Sequence, residues 1–350
     1  MRGGCNRFKK IDMKHIISFS GGKDSLATWI KIKDKYKKED LLVVFCDTDW
    51  EHPLTYEYIQ EIVEYFKAED NFRILSNKEG LGFESLVVKK KRFPSATARF
   101  CTTSLKVEPM IDFLLDKVNE HSIVYQGIRH EESPARAKMN MQCTYFKHYF
   151  EPYDRNDWKL DRLQSRKSTF LIQTKIKKIE SRINAGKLDP KFYTYRKKDV
   201  FEYCKKYNVD IERPVIDLKA DEIIQMILNE GLKPNPLYYF GSGRVGCYPC
   251  IYSTKSELWQ IIINDFWVIE KISKIEKENS TTFFAPNYIP ERYHTGSTTN
   301  KKGEEVTFCW ITDVVNYLKD KNAQGNLFEA LDDDENEGKG CMSAFNICER

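Results

Sequence analysis

His15-Ile16-Ile17-Ser18-Phe19-Ser20-Gly21-Gly22-Lys23-Asp24-Ser25-Leu26 is the stretch on which the fold turns. Its apolar start, His15 to Phe19, predicts a strand, and Ser25 to Tyr36 carries the apolar spacing of a helix. Between them, two consecutive glycines let backbone N–H groups converge on an anion without obstruction from Cβ atoms, and the helix adds its positive end. Lys23 brings a full charge, and Ser20 and Ser25 bring hydroxyl donors. Asp24 would repel a phosphate unless it holds Mg²⁺ or a ribose hydroxyl. The implied guest is a nucleotide polyphosphate. Average composition yields this hexapeptide by chance on the order of 10⁻⁵ to 10⁻⁴ times per chain, which argues against an ordinary Gly-rich turn.

Outward from the loop the alternation continues. Leu41 to Cys46, Phe72 to Leu75 and Ser122 to Gln126 read as strands, and Pro53 to Lys67 and Val107 to Val118 as helices. This order predicts an α/β fold: a Rossmann-like parallel sheet, apolar on both sides, with helices on both faces. Ligands of such sheets bind beyond the carboxyl ends of the strands, so function is expected at Ser20, Asp47 and Gly127.

We expect the phosphate-loop domain to span residues 1–153 and a basic insert, helical between Thr169 and Ala185, to span 154–198. Residues 199–232 then complete the first domain, through helices at Tyr195 to Tyr207 and Ala220 to Glu230. Lys233-Pro234-Asn235-Pro236 forces an extended connection into a smaller, mostly helical, Cys-rich subdomain over 233–350. Asp332 to Gly338 reads as an acidic linker. The insert is either a solvated helix face or a nucleic-acid contact.

Composition narrows the classes. At 350 residues, 41% hydrophobic and 13% aromatic, with 17 Gly and 12 Pro, the chain is neither disordered nor collagen-like. No apolar run reaches the ~18 residues that span a bilayer, so no membrane partner is expected. The first residues show no apolar stretch of a secretory signal, so the expected location is cytoplasmic. A net charge of +4 makes no global case for nucleic acid, and any such case rests on local patches.

Ten cysteines in a reducing compartment read as thiols or metal ligands rather than disulfides. Cys247 and Cys250 have the Cys-x₂-Cys spacing that lets two thiolates chelate one metal, and Cys341 and Cys348 could complete a tetrahedral set. Zn²⁺ and a 4Fe–4S cluster both suit four thiolates. Cys101 or Cys309 could replace a tail ligand, or the tail thiols could be idle. Cys101, placed on a loop with Lys106 before a helix, is either a thiol of lowered pKa or a buried structural one.

The run His15 to Leu26 resembles the PP-loop signature of the N-type ATP pyrophosphatases, the adenine nucleotide alpha hydrolase-like superfamily that includes the phosphoadenosine phosphosulfate reductases. Asp47-Thr48-Asp49-Trp50-Glu51-His52-Pro53 is similar to the family segment after the second strand, with Asp49 where Gly is usual. Arg99 to Lys106 resembles its Arg-x-Cys-Thr-x-x-Leu-Lys segment. Gly127-Ile128-Arg129-His130-Glu131-Glu132-Ser133-Pro134-Ala135-Arg136 resembles Gly-Ile-Arg-x-x-Glu-Ser-x-x-Arg, and Arg244 to Ile251 its Cys-rich stretch. Together these cover most of residues 14–252. Arg129 and Arg136 offer planar forks for phosphate or sulfate. Glu132 is expected to orient them rather than act as a base, and Asp47 could take Mg²⁺ or the nucleoside.

The resemblance implies an enzyme. The first expectation is ATP cleavage between the α and β phosphates to adenylylate an acceptor for sulfur or nitrogen transfer, resembling the ATP pyrophosphatase of DNA phosphorothioation. Lys23, Asp24, Arg129 and Arg136 would be catalytic, ATP and Mg²⁺ bound, and a sulfur-donor protein and nucleic acid potential partners. The alternative is a sulfonucleotide reductase. Against it, the reductase loop usually lacks the Lys-Asp pair, and the chain ends Phe345-Asn346-Ile347-Cys348-Glu349-Arg350, without the Gly and His of the reductase's C-terminal motif. A non-catalytic nucleotide-binding scaffold is the third expectation.

Overall fold

The computed structural model describes residues 13–95, 98–164, 169–299 and 303–323. Four strands form the expected parallel core: β1 (Met13–Ser18), β2 (Leu41–Cys46), β3 (Phe72–Leu75) and β4 (His121–Gln126). Registers pair His15 with Leu41, Val43 with Phe72 and Ile16 with Val124, all parallel. The full sheet has six strands, in the order β3, β2, β1, β4, Val209–Glu212 and Gln142–Thr144. The first helix, α1 (Lys23–Ile32), follows β1, and helix Pro53–Tyr65 follows β2.

The strand periodicity is explained by burial. Ile16, Ile17, Val43 and Val44 are all but inaccessible, as expected for strands covered on both faces. β3 departs from this. Ile74 is 61% exposed and Arg73 is exposed too, because β3 is an edge strand and not a covered one.

The chain folds as two compact units: the residues up to Gln142 together with those from Ile211, and Cys143–Asp210. The first unit has two cores. One joins β1 and β2 to α1 and helix Pro53–Tyr65 through Ile17, Leu26, Trp29, Val43 and Ile59, and includes Ile223 and Ile227 of helix Ala220–Asn229. The other brings helix Phe83–Lys90, whose pattern the sequence reading left out, against helices Lys255–Asn264, Phe266–Asn279 and Ile311–Ala323. The latter helices bear out a largely helical region after the sheet, with a two-stranded ribbon, Gly296–Thr299 with Glu305–Phe308, beside them. No helix among the described residues is long and apolar enough to cross a membrane.

The second unit holds the helices Arg155–Gln164 and Phe170–Asn184. Its two short extended segments, Tyr153–Asp154 and Pro190–Lys191, pair antiparallel, and Asp189 accepts from Arg155 and Lys159, both at 2.5 Å.

Candidate functional site: the first strand-to-helix loop

β1 ends at Ser18 and the chain reaches α1 through Gly21 and Gly22. Gly21 has φ +75°, and a Cβ there would lie 3.0 Å from Thr55 Cγ2. α1 begins at Lys23, two residues earlier than the apolar spacing suggested, because Gly22 caps it and the Ser25 side chain folds back, Oγ donating to Gly22 O at 2.9 Å. Ser25 Oγ also accepts the Ser20 N–H at 3.2 Å and lies 3.2 Å from Ser20 Oγ. Lys23, Asp24 and Ser25 are therefore the first turn of the helix, where backbone N–H groups have no intrahelical acceptor.

β4 ends against that turn. A Cβ on Gly127 would sit 2.5 Å from Asp24 C and Ser25 N, so only glycine fits. Two residues on, Arg129 is completely buried. Its Nε donates to Asp24 Oδ1 at 2.5 Å and its Nη1 to Glu131 Oε2 at 2.7 Å. Lys23 is buried too, its Nζ 3.5 Å from Asp24 Oδ2. Asp24 thus bridges two cations that the sheet topology brings together from segments a hundred residues apart. Glu132 accepts the Arg129 N–H at 2.8 Å and pairs with Arg136, which is partly exposed.

A segment the sequence reading treated only as a connection closes over this loop. Asn235 is buried and its Nδ2 donates to Gly21 O at 3.3 Å. Tyr238, also buried in the single helical turn Pro236–Tyr238, accepts the Lys23 N–H at 3.1 Å, and Lys23 Nζ lies 5.0 Å over its ring. Nothing local in Pro234-Asn235-Pro236-Leu237-Tyr238 signals this, although a buried Asn between two prolines needs a distant partner.

At the end of β2, Asp47 Oδ1 accepts from the Asp49 N–H and from the Tyr56 hydroxyl, each at 2.8 Å. Asp49 has φ 54°, which explains the glycine usual at its place: the turn is left-handed there, a conformation Asp tolerates better than most residues. Glu51 is buried next to it, accepting from Thr48 Oγ1 at 2.7 Å and from Tyr56 Oη at 3.1 Å, and burial pushes its carboxyl up.

The Cys-x₂-Cys segment docks on this same turn. Tyr248 N donates to Trp50 O at 2.7 Å, and Cys247 Sγ lies 3.5 Å from Thr48 Oγ1. Burial pushes the Cys247 thiol up and the Lys106 ammonium opposes that shift, while the field of Cys247 in turn raises Lys106. Cys101 is in a helical turn, Phe100–Thr102, rather than a loop, and burial raises its thiol instead of lowering it, the field of Cys250 adding to the effect. Cys309 is fully buried in the helical core, donates to Ala285 O at 3.7 Å and is pushed up to about 11 by burial. Cys341 and Cys348 lie outside the described residues, and among the described residues no three His, Cys, Asp or Glu are grouped to hold a metal ion.

A relative from Escherichia phage 186, an uncharacterised 37.8 kDa protein, is 27% identical over 79% of this chain and 81% of its own length. An uncharacterised protein of Methanocaldococcus jannaschii is 31% identical over 41% of this chain and 28% of its own. Among solved structures, a phosphoadenylyl-sulfate reductase from Candida auris in its phosphate complex aligns with TM-score 0.40 at 11% identity, covering 69% of this chain and 84% of that one. The family model for the phosphoadenosine phosphosulfate reductase domain matches residues 14–253, from β1 through the Cys-x₂-Cys segment. The first strand, the loop after it, the buried arginine and the cysteine pair all fall within that span, and the chain belongs to the phosphoadenosine phosphosulfate reductase domain family.

Proposed function

We propose that the loop at the start of α1 takes the phosphates of ATP and that the protein cleaves it between the α and β phosphates, adenylylating an acceptor. The observation that carries this reading is the convergence of two buried cations, Lys23 and Arg129, on the first turn of α1 with Asp24 between them. A family that acts on adenine nucleotides supports the choice of guest. An acceptor oxygen attacks the α-phosphorus, the bond to the β-phosphate oxygen breaks, pyrophosphate leaves with the electron pair, and the acceptor proton passes to solvent. A sulfur or nitrogen nucleophile then displaces AMP. Positioning and charge neutralisation are most of what such a displacement needs from a protein.

On this reading Ser20, Gly21, Gly22, Lys23 and Ser25 hold the terminal phosphates, Gly127 gives the loop its room, and Arg129 and Arg136 act on the charge that develops. Asp24, with both oxygens turned to cations, suits Mg²⁺ less well than Asp47, only one of whose oxygens is engaged in hydrogen bonds among the described residues. Mg²⁺ held by Asp47 would neutralise phosphate charge. Cys247 and Cys250 would give two thiolates, and Cys341 and Cys348 two more, to Zn²⁺ or a 4Fe–4S cluster, with Lys106 offsetting thiolate charge. A sulfur-donor protein is the expected partner for the second step.

The test is product analysis with labelled ATP, Mg²⁺ and candidate acceptors. AMP and pyrophosphate, lost in Lys23→Ala, are expected; tight ATP binding with neither product favours a scaffold. The family assignment itself favours a second reading, sulfonucleotide reduction. There a thiolate attacks the sulfur of phosphoadenosine phosphosulfate, the S–O bond to the nucleotide breaks, and a thioredoxin thiol releases sulfite from the resulting S-sulfocysteine, leaving a disulfide. Thioredoxin-dependent sulfite release abolished by Cys348→Ser would establish it.

A further inference from the structure

The unit Cys143–Asp210 carries seventeen Lys and Arg against nine Asp and Glu, a surplus of eight in a chain whose total surplus is +4. The rest of the protein is therefore net acidic, and the positive charge is concentrated in one compact body. Helix Phe170–Asn184 contributes much of it. None of its side chains is fully buried; Ile172, Ile176, Ile179 and Ile183 form a half-covered stripe, while Lys175, Lys177, Lys178 and Arg182 are exposed.

The same unit displays an aromatic strip. Phe150, 52% exposed, stacks on Phe201 with ring centroids 4.9 Å apart and planes 27° apart. Lys197 Nζ lies 5.2 Å over the Phe201 ring and 5.3 Å over that of Phe192, itself 39% exposed. Two exposed rings, Phe150 and Phe192, with a cation and the half-buried Phe201 between them, on a body with a surplus of positive charge, are the combination that grips single strands: phosphates meet the lysines and unpaired bases stack on the exposed rings. A duplex hides its base faces, and the Asp and Glu side chains of an acidic peptide have no aromatic face to stack on the phenylalanines. We propose that the strip Phe150, Phe201, Lys197 and Phe192 is a binding site for single-stranded nucleic acid. The inference does not depend on what the phosphate loop does.

The test uses the full chain and a fluorescently labelled, mixed-sequence single-stranded 20-mer, without ATP, followed by anisotropy from 50 to 400 mM salt. Binding tighter than to the duplex of the same sequence is expected, with log K falling against log salt by about 0.7 per phosphate neutralised. Phe150→Leu and Phe192→Leu each weaken binding by about 5- to 150-fold, the range of one lost base stack, whereas Phe150→Trp, which keeps an aromatic plane, does not. Thermal melting shows whether each variant is folded; should Phe192→Leu unfold, the Phe150→Leu and Phe150→Trp pair decides alone. No binding at 50 mM salt overturns the proposal. So does equal affinity for duplex with indifference to the Phe150 variants, which means charge alone, and so does displacement of the strand by equimolar polyglutamate, which means an acidic protein partner. Pyrophosphate release is measured separately, so failure here leaves the reading of the loop standing.

Discussion

Gly127→Ala tests the junction between β4 and α1 most directly. The new Cβ would sit 2.5 Å from Asp24 C and Ser25 N and 2.6 Å from Asp24 O, all backbone atoms at the first turn of the helix. Ordinary carbon contacts lie near 3.5–4.0 Å, so the strand end and the helix start must separate by about 1 Å. No flexible side chain can absorb this. Overpacking of this kind costs about 1–3 kcal/mol, and at roughly 2–4 °C per kcal/mol in a large domain the melting temperature falls by about 2–12 °C. On the ATP reading the same displacement moves the loop off the phosphates, so an ATP-induced rise in melting temperature should shrink or vanish. Differential scanning fluorimetry with and without Mg-ATP reads both effects. Gly186→Ala is the control: it has φ +64° with open space around it, so it carries backbone strain without a clash and without touching the loop. A Gly127→Ala protein that melts and responds to ATP as the parent does would refute the reasoning.

Asp24→Ala leaves the guanidinium of Arg129, which has no solvent exposure, without its carboxylate at Nε. A loss of roughly 3 kcal/mol is expected by urea denaturation, less for Asp24→Asn, which can still accept; equal stability of Asp24→Ala and parent would contradict it. Glu276 is buried, accepting from Phe283 N at 2.7 Å and Ile311 N at 2.8 Å, and burial pushes its carboxyl from 4.5 to about 7 against the pull of those donors. Between those values the unfolded chain releases the proton that the folded chain keeps. Its contribution is therefore complete well below pH 4.5 and lost as pH rises through 7, about 3 kcal/mol in all; denaturation at pH 5 and 8 should show most of that difference in the parent and not in Glu276→Gln. Burial raises the Cys247 thiol and Lys106 counters it, so in metal-free protein alkylation of Cys247 at pH 7 should be slow and slower still in Lys106→Met. Mass spectrometry of the alkylated peptides checks this, and faster labelling in the variant would reverse the assignment.

The strands at Leu41–Cys46 and Phe72–Leu75 were legible to the residue, because short apolar runs bounded by polar turns have few other uses. The loop was legible because two glycines and a lysine after a strand are a local signal. Even so the start of α1 was misplaced, since the spacing of Leu26, Trp29 and Ile32 marks the buried face of a helix and not its cap. Glu131, Asn235 and Tyr238 were not legible at all. Each owes its position to packing: Glu131 reaches Arg129 through a short turn, and Asn235 and Tyr238 come to Gly21 and Lys23 from more than two hundred residues away. The lysines of the insert were visible, but the sequence could not separate a solvated face from a surface organised around Phe150 and Phe192. The ring contacts are what the proposed surface adds to those lysines.

The charge balance at the loop bears on how selective it can be. Lys23 and Arg129 face Asp24 and Glu131, and Arg136 faces Glu132, so three cations are matched by three carboxylates. A charge cluster neutral overall has little pull on a free sulfate or phosphate, and burying a multiply charged triphosphate against it would be costly. What it can accept is a phosphate chain already partly neutralised, for which the cations need only exchange one carboxylate oxygen for a phosphate oxygen. On the ATP reading, the carboxylates whose charge opposes the nucleotide are what restrict the loop to the magnesium complex. They also pair Lys23 and Arg129 where both are buried, so that on this reading the two cations are held in place before the nucleotide arrives.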